Sequence, residues 1–175
     1  MKKIIPSALT LSNLLLGFLA ILLVFKDELL PAILLIMLGM LCDVFDGYCA
    51  RKLDAASELG KELDSLADLV TFGVAPAALI YVASLQEIHT FGALCCVVYV
   101  CCCAIRLARF NTSQATTSGF IGMPTPFAAA MILLISIVSS PAVTEIGVLV
   151  ISWLMVSRIP FPSFKKIKPE PAEEF

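Results

Sequence analysis

DVFDGYCARKLDAASELGKELDSLAD, residues 43–68, sets four aspartates at regular spacing inside or beside apolar runs, and what makes them tolerable there decides the fold. A charged side chain at the centre of a membrane helix costs about 2.5–3.5 kcal/mol on insertion scales, so four unpaired ones would cost on the order of 10 kcal/mol. Something bound must offset that cost.

Around this stretch the 175-residue chain is 59% apolar and 15% charged, outside the usual range of soluble domains. A helix crosses the hydrocarbon with roughly 20 apolar residues, and the runs near 5–25, 29–50, 61–83, 90–110, 122–140 and 142–160 meet that length. The expected fold is all-α: a polytopic membrane protein with six transmembrane helices. Residues 1–162 are expected to form the transmembrane domain and 163–175 a polar cytoplasmic tail, whose end, KPEPAEEF, is too rich in Pro and Glu to pack. Lys2 and Lys3 precede the first run as they would in a secretory signal. That run is long, however, and lacks a small-residue cleavage pattern before Lys26, so it reads as a mature helix.

With the N-terminus inside, eleven of the twelve Lys and Arg residues fall in cytoplasmic segments and only Lys26 falls outside. Both termini are therefore expected in the cytoplasm of a cell-membrane protein, and the aspartate stretch opens toward the same side. A net charge of −2, with no interleaving of basic and aromatic residues, argues against a nucleic-acid partner. The basic KKIK at 165–168 fits an ordinary positive-inside stop better than a headgroup site. Cys42, Cys49, Cys95, Cys96, Cys101, Cys102 and Cys103 all lie in expected spans, with no His near enough to suggest zinc. Compact apolar packing suits them better than a metal or a disulfide. His89 lies in a short outer loop away from the aspartates, and Trp153 lies near the middle of the sixth span with no evident role.

On a helix Asp43 and Asp46 sit about 60° apart with a rise of about 4.5 Å, and Asp64 and Asp68 about 40° apart with a rise of about 6 Å. Each pair lines one stripe. Gly47 and Ala50 extend the first stripe and Gly60 and Thr71 the second, so small residues at Gly47, Ala50 and Gly60 let a bulky group approach the backbone. The polar connection 51–62 is short enough to make the two helices antiparallel neighbours whose carboxylates can face each other. Clustered oxygen ligands select hard dications such as Mg2+ or Mn2+, and two metals suit four carboxylates. A metal pair about 3.5–4 Å apart is the arrangement that clamps attacking and leaving oxygens in phosphoryl transfer. Arg51 is then a phosphate ligand, suited to a bidentate contact through two N–H groups of its guanidinium. Asp54 and Glu58, in the connection, read as solvated or capping carboxylates.

These residues match the pattern D-x-x-D-G-x-x-A-R-x8-G-x3-D-x3-D at Asp43, Asp46, Gly47, Ala50, Arg51, Gly60, Asp64 and Asp68. In this the chain resembles the CDP-alcohol phosphotransferase family, and the six-helix layout extends the resemblance over most of its length. The resemblance implies a membrane enzyme that moves a phosphatidyl or similar group from a CDP-linked donor onto an alcohol and releases CMP. It further implies that Asp43, Asp46 and Asp64 are metal ligands, and that Asp68 is both a ligand and the base that takes the proton of the acceptor hydroxyl. Gly47, Arg51 and Gly60 would line the nucleotide and diphosphate pocket, and a homodimer is implied as well. The stretch 5–18 also looks like the family's first helix, with Thr10, Asn13 and Gly17 on one face. Asn13 then either reaches the nucleotide or bonds a neighbouring helix.

The acceptor is less sharply marked. RLARFN at 106–111, GMPTPFAA at 122–129 and DLVTFGVAP at 68–76 resemble the serine-using branch of the family. That branch implies transfer from CDP-diacylglycerol to L-serine, giving phosphatidylserine. Arg106 and Arg109 would hold the serine carboxylate, or else anchor to lipid headgroups by snorkelling. Glycerol 3-phosphate or inositol phosphate would use the same arginines. A transporter of divalent cations or protons is the alternative of another class. It fits less well, because the acidic residues sit on one side only and no second polar station follows in the later spans.

Overall fold

A computed structural model describes residues 4–53, 57–86, 89–113, 122–138, 140–157 and 159. Its described residues are all-helical. We number the helices α1 Ile4–Val24, α2 Leu29–Lys52, α3 Glu58–Leu85, α4 His89–Ser113, α5 Thr125–Val138 and α6 Pro141–Val156. The first four match the expected spans closely, and each contains a segment long and apolar enough to cross a membrane.

The last two helices are shorter than expected, at 14 and 16 residues. At 1.5 Å per residue they reach only about 21 and 24 Å, less than a hydrocarbon core of about 30 Å. The expected fifth span began at 122. Gly122, however, has φ +86°, outside the helical range, and regular helix begins only at Thr125, between two prolines. The polar tail at 163–175 lies outside the described residues, as do the side chains of Arg51 and His89.

The outer surface is apolar. Leu15, Phe18, Leu34, Met37, Ile146 and Trp153 are each more than half exposed, which suits lipid and not water. Inside, one core joins α3 to α6 through Ile80, Leu85, Tyr99, Ile132 and Met155, and a second joins α1, α2 and α3 through Ala20, Val24, Ala32, Ile36 and Leu79. Cys95, Cys96 and Cys103 are buried in the first core, and all seven cysteines are free thiols. Between α1 and α2 the chain reverses in a tight turn whose Asp27 has φ 63°, a left-handed conformation that Asp tolerates better than most residues.

Helix α3 carries the site, and it is not regular. Its α-helical start, Glu58–Asp68, is capped by the Ser57 hydroxyl, which accepts from the Gly60 N–H at 3.1 Å. Immediately after Asp68 the helix widens into π-helical turns over Leu69–Val74. Such turns are rare and concentrate at functional sites. They are braced from both sides: the Tyr99 hydroxyl donates to the Phe72 carbonyl at 2.7 Å, and the Thr71 hydroxyl donates to the Asn13 carbonyl at 3.0 Å. Glycines allow α1 and α2 to close on this point. A Cβ on Gly39 would lie 2.6 Å from Thr71 Cγ2, and one on Gly17 would lie 2.8 Å from Thr71 Cα.

The second obstacle is a backbone atom and cannot rotate away. Gly17→Ala is therefore expected to destabilise the bundle by about 1–3 kcal/mol through overpacking. Thermal unfolding in detergent measures this, and an unchanged transition would contradict the close approach.

Candidate active site

Helices α2 and α3 bring their acidic stripes to one cavity, as the spacing in the sequence allows. Carboxylate oxygens of Asp43, Asp64 and Asp68 all lie within 4.8 Å of one another. Asp46 lines the same cavity, but its Oδ2 accepts a hydrogen bond from the Thr10 hydroxyl at 2.9 Å. Four carboxylates were expected to converge. The structure brings three into a single cluster and ties the fourth partly to α1.

Helix α1 also reaches the cluster through Asn13, whose Nδ2 donates to Asp68 Oδ1 at 3.2 Å. Asn13 is fully buried and is not among the residues lining the cavity, and its Oδ1 has no hydrogen-bond partner among the described residues. Thr10 and Asn13, one turn apart on α1, thus each hold one aspartate. Both donors are neutral, so they orient the carboxylates without cancelling their charge.

The cavity, about 750 Å3 in volume, is walled by the four aspartates together with Gly47, Ala50, Gly60, Lys61, Ser65 and Arg106. The three small residues expected to make room do line it. Their lack of bulk opens the wall between the facing stripes.

The two arginines of α4 part company. Arg106 lines the cavity, lies with its guanidinium 5.3 Å from the centre of the Phe110 ring, and donates through Nη1 to the Thr125 hydroxyl. Arg109 is exposed and donates to the Val156 carbonyl at 2.7 Å, at the end of α6. The two lie one turn apart on α4, yet α5 takes one arginine and α6 the other.

Sequence reasoning overlooked three contacts at this end of the bundle. Lys61 Nζ donates to the Asn111 carbonyl at 2.6 Å, and Asn111 Nδ2 donates to Ser65 Oγ at 2.9 Å, which fastens the end of α4 to the start of α3. Thr125, fully buried at the start of α5, is the third. Only Thr125 had a visible signal, as a polar residue between prolines in the quoted GMPTPFAA stretch.

Comparison with known proteins bears on the same residues. The family model described as CDP-alcohol phosphatidyltransferase matches residues 3–161. The chain belongs to the CDP-alcohol phosphatidyltransferase family. Among its relatives, a protein of Bacillus subtilis named CDP-diacylglycerol–serine O-phosphatidyltransferase is 46% identical over 162 residues, covering 93% of this chain and 92% of the relative. Proteins of the same name from Methanocaldococcus jannaschii and Helicobacter pylori are each 36% identical and cover 93% of this chain, and 77% and 73% of their own lengths.

Family membership raises the question of whether these residues suit a divalent metal. They do. Asp64 Oδ1 is buried with no hydrogen-bond partner among the described residues, and it belongs to one of three clustered carboxylates. An acceptor-only set of hard oxygens is what a divalent cation binds, and a buried lone pair left bare costs free energy that a cation would recover.

Asp64→Asn, which keeps the shape and removes the charge, is expected to lower Mn2+ affinity by about tenfold or more. Calorimetric titration of the purified protein in detergent reads this directly; equal affinity in the variant would show that the cluster is not the metal site.

Proposed function

We propose that this protein transfers the phosphatidyl group of CDP-diacylglycerol to the hydroxyl of L-serine, giving phosphatidylserine and CMP. The observation that carries the reading is the convergence of Asp43, Asp64 and Asp68 on a cavity that Arg106 also lines, in a chain whose relatives are named for that reaction. Two divalent cations, Mg2+ or Mn2+, held by Asp43, Asp46, Asp64 and Asp68, would polarise the diphosphate and neutralise the charge developing on the CMP leaving group.

The chain's own groups do the rest. Asp68 takes the proton of the serine hydroxyl as that oxygen attacks the phosphorus of the donor's phosphatidyl group and the bond to CMP breaks. Asn13 donates to its Oδ1 and so orients the carboxylate. Gly47 and Gly60 let the nucleotide and diphosphate lie close to the backbone, and Arg51 balances diphosphate charge. Arg106 holds the serine carboxylate. Arg109, bonded at the end of α6, stands outside the acceptor subsite in this reading.

The same reading places six spans in the cell membrane over residues 1–162. Both ends and the cavity mouth face the cytoplasm, a tail follows at 163–175, and the family resemblance extends the assembly to a homodimer. The short α5 and α6 fit six spans if polar flanks and a locally thinner bilayer make up the difference in length.

Offering L-serine, glycerol 3-phosphate and inositol phosphate in parallel, with CDP-diacylglycerol in detergent micelles, tests the acceptor. CMP release is expected with serine alone, and CMP release with glycerol 3-phosphate or inositol phosphate in its place would overturn the assignment. Asp68→Asn is expected to lower kcat by about 10^2–10^4, the usual contribution of a positioned base. A near-normal rate in that variant would remove Asp68 from the role.

A further inference from the structure

The GMPTP segment that precedes α5 is built to hold one hydroxyl still. Gly122 adopts φ +86°, and a Cβ there would come within 2.5 Å of the Met155 carbonyl oxygen, so the position requires glycine. The Gly122 N–H donates to the Ile159 carbonyl at 3.1 Å, which ties the segment to the chain beyond α6. Pro124 and Pro126 have ring-fixed φ angles on either side of Thr125, and the Ala128 N–H donates to the Pro124 carbonyl at 3.0 Å, starting the helix. Thr125 is fully buried, and its hydroxyl accepts from Arg106 Nη1.

A hydroxyl at the start of a helix ordinarily caps that helix. This one reaches across to α4 instead. Arg106 is thereby gripped at one corner of its guanidinium, while the Phe110 ring stacks nearby at 5.3 Å. Arg106 lines the cavity, within reach of the charges of Asp43 and Asp68. A guanidinium held at one nitrogen presents the remaining N–H groups in a fixed plane, which is what a two-point contact with a carboxylate needs.

We propose that Thr125 is a positioning residue that sets the acceptor specificity of the site, by holding Arg106 in the plane that receives the carboxylate of the amino-acid acceptor. This rests on the reading of Arg106 as the carboxylate ligand. Loss of the Thr125 oxygen returns rotamer freedom to a long side chain, which must then be lost again each time the acceptor binds. The penalty therefore falls on acceptor binding and not on the donor or on the chemical step.

Steady-state kinetics of the full chain in CDP-diacylglycerol micelles, with L-serine varied, test this. Thr125→Val keeps the branched shape and removes the acceptor oxygen. It is expected to raise KM for serine about tenfold, in line with the loss of a hydrogen bond to a charged group, with kcat and the donor KM changed less than twofold. Thr125→Ser, which restores the oxygen, is expected to recover most of that loss. An unchanged serine KM, or equal losses for donor and acceptor, overturns the proposal. Should Thr125→Val fail to fold, Thr125→Ala is held to the same criteria. Arg106→Lys separates the two layers of inference. If it leaves serine KM unchanged, the carboxylate subsite is wrong and the role of Thr125 falls with it. If it raises serine KM while Thr125→Val does not, only the positioning role fails.

Discussion

The constraint on which this structure turns is the mutual repulsion of carboxylates held together in a medium that screens charge poorly. Asp43, Asp64 and Asp68 bring oxygens within 4.8 Å of one another on helices that otherwise run through an apolar bundle. Like charges at that separation interact far more strongly than they would in water. The hydrogen bonds that reach the cluster come from neutral groups, Thr10 to Asp46 and Asn13 to Asp68. These orient the acids but leave their charge in place; Arg106, which lines the same cavity, offsets part of that charge, and a bound cation would offset the rest.

Much of the surrounding architecture serves that cluster. The π-helical turns after Asp68 change the angular step of α3 at the point where it stops lining the cavity. Tyr99 and Thr71 secure those turns, and Gly17 and Gly39 let α1 and α2 press on them. A rigid floor of this kind, built from helices and not from loops, can hold side chains to the sub-ångström tolerance that catalysis needs. At the cavity end of the bundle α4 serves as a distributor. Arg106 goes to α5, Arg109 to α6, and Asn111 to α3, so one helix end fixes three neighbours.

How far the sequence revealed this depends on the range of the interaction. Helix-periodic features were legible: the stripes Asp43/Asp46 and Asp64/Asp68, the small residues beside them, and the inward face of Thr10, Asn13 and Gly17 follow from 3.6 residues per turn. The four long helices follow from apolar length. Contacts that depend on which helices become neighbours could not be read. The turn of Asp46 toward Thr10 and the separation of Arg106 from Arg109 are decided by partners 36 and 47 residues away in the chain. The π turns of α3 leave no mark in hydropathy. The late start of α5 was partly visible in Gly122, Pro124 and Pro126, but an apolar window averages over such punctuation and extends the span to 122.

The account stands or falls on whether a divalent cation completes the fold at the aspartate cluster. The most direct measurement is the unfolding temperature of the purified protein in detergent, recorded in chelator and then across rising Mg2+ or Mn2+. A ligand that binds only the folded state stabilises it by about 2.7 kcal/mol at a hundredfold excess over its Kd, so the transition is expected to climb by several degrees and then follow the logarithm of the metal concentration. A transition at the same temperature in chelator and in saturating metal would mean that the acidic cluster is stable without a cation, and the central claim would be wrong.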